Sequence, residues 1–160
     1  MKLSVTATCL VALAVTLAGC GGKSADTGSS PAPAASTPGG VAAVSQYDSG
    51  PRAAETPIDE SKVEQGKALF SSKGCTACHA FGRRISCPDL AGVSQRRTVA
   101  WMQNQILHPD VMTKTDPIAH QLFATYALQM PIQGLTPDEA IAVIEFFKHT
   151  DHAAGESKTQ

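Results

Sequence analysis

The sequence predicts an all-α domain of about four helices, and three observations carry that expectation. Apolar residues recur three and four apart in four separate windows, each opened by a cap or closed by a breaker. No stretch alternates apolar and polar residues with the period of two that a half-buried strand requires. Globular patterning is confined to residues 59–152, which is enough chain for one domain and no more.

In the first window Ser61 and Glu64 have capping-box spacing, Val63, Gly66 and Phe70 share a helical face, and Gly74 marks the end. Thr98 opens the second, where Val99, Met102 and Ile106 recur until Pro109. Asp116-Pro117 supplies an N-cap and a first-turn proline to the third, whose apolar face is Ile118, Leu122 and Tyr126. Thr136-Pro137-Asp138-Glu139 joins a capping box to a first-turn proline and begins the last, with Ile141, Val143, Ile144 and Phe147 on its apolar side. Residues 74–97 and 127–136 have no helical period and read as long irregular connections.

The flanking segments are different material. Residues 1–19 hold one early cation, Lys2, and an uncharged run from Val5 to Ala18. That run is shorter than the ~20 apolar residues of a membrane-spanning helix and fits a secretory signal peptide. It closes on Leu17-Ala18-Gly19-Cys20, which resembles the lipobox of bacterial lipoproteins. The resemblance implies cleavage before Cys20 and lipid attachment to it. Residues 21–58 are Gly, Ala, Ser, Pro or Thr at 28 of 38 positions, so 20–58 reads as a lipid-anchored disordered linker. Residues 153–160 read as a disordered tail. The 160-residue chain has a net charge of −1 and no basic block, which removes the electrostatic case for a nucleic-acid partner. Aromatics are only 5%, so the core calls for another filler.

Cys75-Thr76-Ala77-Cys78-His79 carries the chemistry. Cys-x-x-Cys-His is the attachment sequence of c-type haem. One near-helical turn sets both sulfurs on the same side, within reach of the two haem vinyl groups, and the adjoining His reaches the iron. A thioredoxin-like pair would need a βαβ context. A zinc site would need a second ligand pair at matching spacing, and none is evident.

Residues 61–149 resemble a class I cytochrome c. The matching pieces are Gly66-Lys67-Ala68-Leu69-Phe70, Gly74-Cys75-Thr76-Ala77-Cys78-His79, Pro88-Asp89-Leu90-Ala91-Gly92-Val93, Gln95-Arg96-Arg97 and Met130-Pro131 before an amphipathic helix. The resemblance implies helices packed around one covalent haem c, with the first and last crossing closely at Gly66 and Phe70. Cys75 and Cys78 would attach the haem, and His79 and Met130 would bind its iron. Met102, Met112, His108 and His120 are the alternatives to Met130; Met102 reads as core and Met112 as part of a polar loop. Pro88 would hold the other ring nitrogen of His79 through its carbonyl. Arg96 or Arg97 would pair with a haem propionate, and Trp101 would wall the haem or simply pack its helix. Cys87 stands where a small residue is expected. It reads as a buried, inert thiol, with a redox or copper role as the alternative.

The function implied is a membrane-tethered monohaem carrier of single electrons between redox proteins outside the cytoplasm, in respiration, rather than an enzyme. Its donor and acceptor would include a terminal oxidase or reductase, and its lipid would hold it to a bacterial membrane, on the periplasmic side in a Gram-negative cell. The alternative is an accessory or assembly factor of a copper-containing oxidase or reductase, with haem as redox sensor. A peroxidase-like enzyme with an open iron position is a third reading, against which the Met130 ligand argues.

Overall fold

Asp59 starts the first helix rather than Ser61: its carboxylate accepts from the backbone N–H of Ser61 at 3.2 Å and from the Ser61 hydroxyl at 2.6 Å. In the computed structural model, which describes residues 44–157, α1 therefore runs Glu60–Ser72. Short α2 is Val93–Arg96, α3 is Val99–Leu107, α4 is Pro109–Thr115, α5 is Pro117–Tyr126 and α6 is Pro137–Glu156. Among the described residues there are six α-helices and no strand, so the all-α expectation holds and the number of about four is corrected.

The two additional helices have local causes. Pro109 does not merely stop α3; it occupies the first turn of α4, where a missing N–H costs nothing. Met112 consequently lies on a helix, 1% exposed, and not in a polar loop. The one-turn α2 begins after Gly92 in the left-handed conformation. The expected caps of α3, α5 and α6 are all present. Thr98 accepts from Trp101 N, Asp116 from Ile118 N and Ala119 N, and both halves of the Thr136–Glu139 box form.

The frame is the crossing of α1 and α6. Gly66 is buried where a Cβ would lie only 1.9 Å from the Ala142 carbonyl oxygen, so the two backbones touch. Beyond that point Phe70, Phe81, Phe146 and Phe147 pack ring on ring at 5.6–6.2 Å between centroids. Four of the chain's five Phe residues thus form one cluster, a concentration that a composition of 5% aromatics conceals.

The linker boundary is corrected as well. Residues 44–58 are not a disordered tether: Ser45 is 2% exposed and Ala53 fully buried. Ala53 N donates to Arg97 O at 2.9 Å and Thr98 Oγ1 to Tyr47 O at 2.5 Å. Lys148, paired with Glu145 at 2.9 Å, donates to Pro57 O at 2.6 Å. A few long-range polar contacts order a stretch whose composition offers little to bury. At the other end, α6 continues through Glu156, so residues 153–156 are helix and not tail. The expected signal peptide 1–19, the expected lipid site Cys20, the rest of the expected linker to residue 43 and residues 158–160 lie outside the described residues.

Candidate functional site

Gly74, at φ +76°, turns the chain out of α1 into a 3-10 turn over Cys75–Ala77. His79 N then donates to Cys75 O at 3.0 Å, closing the attachment sequence into a single loop. Three further bonds fix the following segment: Cys87 N to Cys78 O at 3.2 Å, Leu90 N to Ala80 O at 2.9 Å, and Gly82 N to an Asp89 carboxylate oxygen at 2.8 Å.

The His79 ring is locked by this geometry. Its Nδ1 lies 2.9 Å from Pro88 O. A carbonyl only accepts, so Nδ1 carries a proton, and in the neutral ring this leaves the lone pair on Nε2, the tautomer in which imidazole binds a metal through Nε2. His79 and Cys75 line an apolar cavity of about 500 Å³, a usual size for a cofactor site. Its walls include Phe70, Pro88, Val93, Trp101, Leu122, Val143 and Phe147. A recess of about 50 Å³ is lined by Cys75, Cys78, His79, Cys87 and Met130, which brings the expected attachment and ligand residues together.

Of the five candidates for second ligand, only Met130 and Met102 line the cavity. Met130 is half-buried in the irregular segment after α5, whereas Met102 is 3% exposed on α3. Met112 is buried on α4 and does not line the cavity. His108 and His120 are exposed, and His120 Nδ1 donates to Thr113 O at 3.1 Å.

Both arginines line the cavity, but their donors also serve the protein. Arg96 donates to Ala91 O at 2.6 Å and to Asp89 O at 3.3 Å. Arg97 pairs with Asp48 at 3.2 Å and lies 5.0 Å over the Trp101 ring. Trp101 walls the cavity and is also helix packing, 4% exposed, with its indole N–H donated to Asp116 at 3.0 Å. Burial alone would raise the Asp116 carboxyl. Hydrogen bonds from Ser45, Trp101 and the amides of Ala119 and Ile118 outweigh it and hold the pKa below the usual 3.8.

Cys87 is buried beside Cys78 and faces the cavity, and burial pushes its thiol pKa up, as it does that of Cys75. Cys87 therefore stays protonated near neutrality, as does Cys75 before any haem is attached. Among the described residues no three His, Cys, Asp or Glu side chains group as a metal site, and Cys87 and Met112 do not share the cavity.

Sequence reasoning missed Gln105, whose Oε1 is buried without a hydrogen-bond partner and which lines the cavity. Its position one turn after Trp101 on α3 was the available signal. A large apolar cavity, an imidazole that can present a lone pair, a thioether and two arginines fit a haem, which has apolar faces, an iron and anionic propionates.

The cytochrome c family model matches residues 63–151. Among solved structures, the cytochrome c from Rhodothermus marinus is 31% identical, over 61% of this chain and 83% of its own, with a TM-score of 0.58. An engineered form of that protein gives 30%, 60%, 83% and 0.57. The cytochrome c domain of a Pseudomonas putida protein is 29% identical over 59% of this chain and 95% of its own, with a TM-score of 0.51. No curated protein matches the chain.

Proposed function

This chain belongs to the cytochrome c family, so it is an electron-transfer protein with one covalently bound haem c, and we propose that Cys75 and Cys78 attach that haem while His79 and Met130 bind its iron. The observation that carries the assignment is the His79–Pro88 hydrogen bond, which leaves Nε2 free in the cavity that Cys75 and Met130 also line. When bound, the haem supplies a one-electron iron couple. The chain does the rest: Pro88 O keeps the proton on His79 Nδ1, the thioether of Met130 favours the reduced iron, and the apolar walls exclude water. Cys87 is a neutral packing thiol in this reading, and Arg96 and Arg97 are the propionate partners.

We further propose that Cys20 carries lipid and that residues 20–43 form a tether from an extracytoplasmic membrane surface to the domain. On such a tether the carrier reaches a redox donor and acceptor, a respiratory oxidase or reductase among them. What supports this is the sequence Leu17–Cys20 and the Gly/Pro-rich stretch after it. The Cys20→Ser protein, still exported, is expected in the soluble fraction; retention on membranes after carbonate washing refutes the anchor.

Two measurements test the site. Intact mass under denaturing conditions is expected to exceed that of the mature chain by one haem, and release of haem into acidic organic solvent refutes thioether attachment. Met130→Ala is expected to abolish the weak near-infrared band of Met-to-ferric-iron ligation and lower the potential. Persistence of the band in Met130→Ala, with its loss in Met102→Ala, transfers the role to Met102.

A further inference from the structure

Behind the cavity wall formed by Arg97 and Trp101 lies the segment that precedes α1, and it holds both residues. The Asp48 carboxylate is the centre of that grip. One of its oxygens accepts from Thr98 N at 2.9 Å, fixing the start of α3, and the other meets Arg97 at 3.2 Å and Arg52 at 3.1 Å. The side chain is only 9% exposed, so its charge is weakly screened by solvent. Three residues earlier, the Ser45 hydroxyl donates to the Asp116 carboxylate, which in turn accepts the Trp101 indole N–H at 3.0 Å. The guanidinium and the indole are thereby stacked, 5.0 Å apart, with their polar atoms turned toward 45–48 and α5.

We propose that Asp48 is a positioning residue of the haem site: it holds Arg97 against Trp101 and offsets that arginine's charge at the cavity wall. The inference rests on the haem assignment above. Its consequence is electrostatic and has a definite sign. Arg97 lines the cavity, and a cation there favours the less positive, reduced iron, whereas Asp48 beside it cancels much of that field. Removing the Asp48 charge takes one anion from Arg97 and Arg52, so the cavity wall becomes more positive and the reduced state gains. A merely structural role predicts the opposite, because a loosened wall admits water, which favours the oxidised, more charged iron. The direction of the potential shift therefore separates positioning with charge compensation from simple support.

The test is a redox titration of the full haem-loaded chain at about 0.01 M and about 0.1 M salt, which spans Debye lengths of about 30 to about 10 Å. Asp48→Asn is expected to raise the midpoint potential, Arg97→Gln to lower it, and Asp48→Glu, which keeps the charge, to stay near the parent. The Asp48→Asn, Arg97→Gln double variant is expected to return toward the parent value, because both charges are gone. That double variant also serves if Asp48→Asn alone does not accumulate, since removing both members of this part-buried pair is tolerated better than leaving Arg97 without its carboxylate. An unchanged or lowered potential in Asp48→Asn overturns the proposal. So does a double variant as low as Arg97→Gln. A parent that shows no one-electron haem couple refutes the haem assignment instead, which keeps the two failures apart.

Discussion

Replacing Gly66 by Ala tests whether the α1–α6 crossing is set by backbone contact. The added Cβ would lie 1.9 Å from Ala142 O, 2.5 Å from Ala142 C and 3.0 Å from Phe146 Cβ. Ordinary contact begins at 3.4 Å, so α6 must withdraw by about 1.5 Å, the difference between 3.4 and 1.9. The obstacle is backbone and has no rotamer to escape into. A gap of about 0.5–1 Å already forfeits a quarter to a half of each dispersion contact, and Phe147 and Val143 on α6 are both core and cavity wall. Overpacking costs about 1–3 kcal/mol, and the geometry places this case at the upper end. Ala is about 1 kcal/mol better than Gly in a helix interior, which leaves a net loss of about 2 kcal/mol. For a domain of this size that is a fall in Tm of roughly 10 °C.

The assay is thermal unfolding by far-ultraviolet circular dichroism, with Gly155→Ala as the companion variant. A Cβ at Gly155 meets nothing within 4 Å, so that variant keeps or slightly gains stability. Propensity alone predicts that Gly66→Ala is the more stable protein, whereas the crossing predicts the less stable one. A Gly66→Ala melting temperature at or above the parent's refutes the packing argument.

Acid provides a second handle. The folded pKa of Asp116 lies below its unfolded value, so its stabilisation is full above the ordinary carboxylate range and is lost as pH falls through that value toward the folded one. Asp116→Asn should therefore flatten the slope of stability against pH below about 4, read by denaturant titration at several pH values; an unaltered slope counts against the Ser45–Asp116–Trp101 chain. Arg83 is exposed near the attachment loop, and Arg84 lies 4.5 Å over Tyr126 at the cavity. Reversing both to Glu should slow electron transfer to an acidic partner and blunt its salt dependence without changing the spectrum; a rate indifferent to salt and charge refutes docking on this face. On mild denaturation the near-infrared band should disappear before helical dichroism does, because the Met130 segment is the less firmly held; coincident transitions contradict that.

Legibility in the sequence follows the range of the interaction concerned. The caps Thr98, Asp116 and Thr136 act on backbone two or three residues away, and all three are in place. Pro109 carried an ambiguous signal, since proline both ends one helix and begins the next, and α4 was hidden for that reason. Ser45 and Asp48 were hidden by distance: their partners Asp116, Arg97 and Thr98 lie 49 to 71 positions on. In the site, the cysteine spacing is local and readable. The role of Pro88 O depended on family resemblance, and the unpartnered amide of Gln105 became visible only in three dimensions.

The two sides of the cavity are built by different means, and the difference matches what each must do. Residues 78–90, on the His79 side, are tied by backbone bonds from Cys87 to Cys78 and from Leu90 to Ala80, with Pro88 O on the ring itself. On the Met130 side, no bond between backbone N–H and backbone carbonyl involves 128–135 among the described residues. That segment is entered through Ala127, a non-glycine residue at φ +50°, and left through the Thr136 capping box. Its ends are fixed, and between them Leu128, Met130, Gln133 and Leu135 line the cavity. A rigid histidine loop sets the orientation of the ring before any cofactor is attached. In the proposed site the Met130 thioether, flexible about three bonds, would adapt to the position of the attached haem. The His79 side is thus tied by backbone hydrogen bonds, whereas the Met130 side is fixed at its two ends and by the packing of Leu135 on the core.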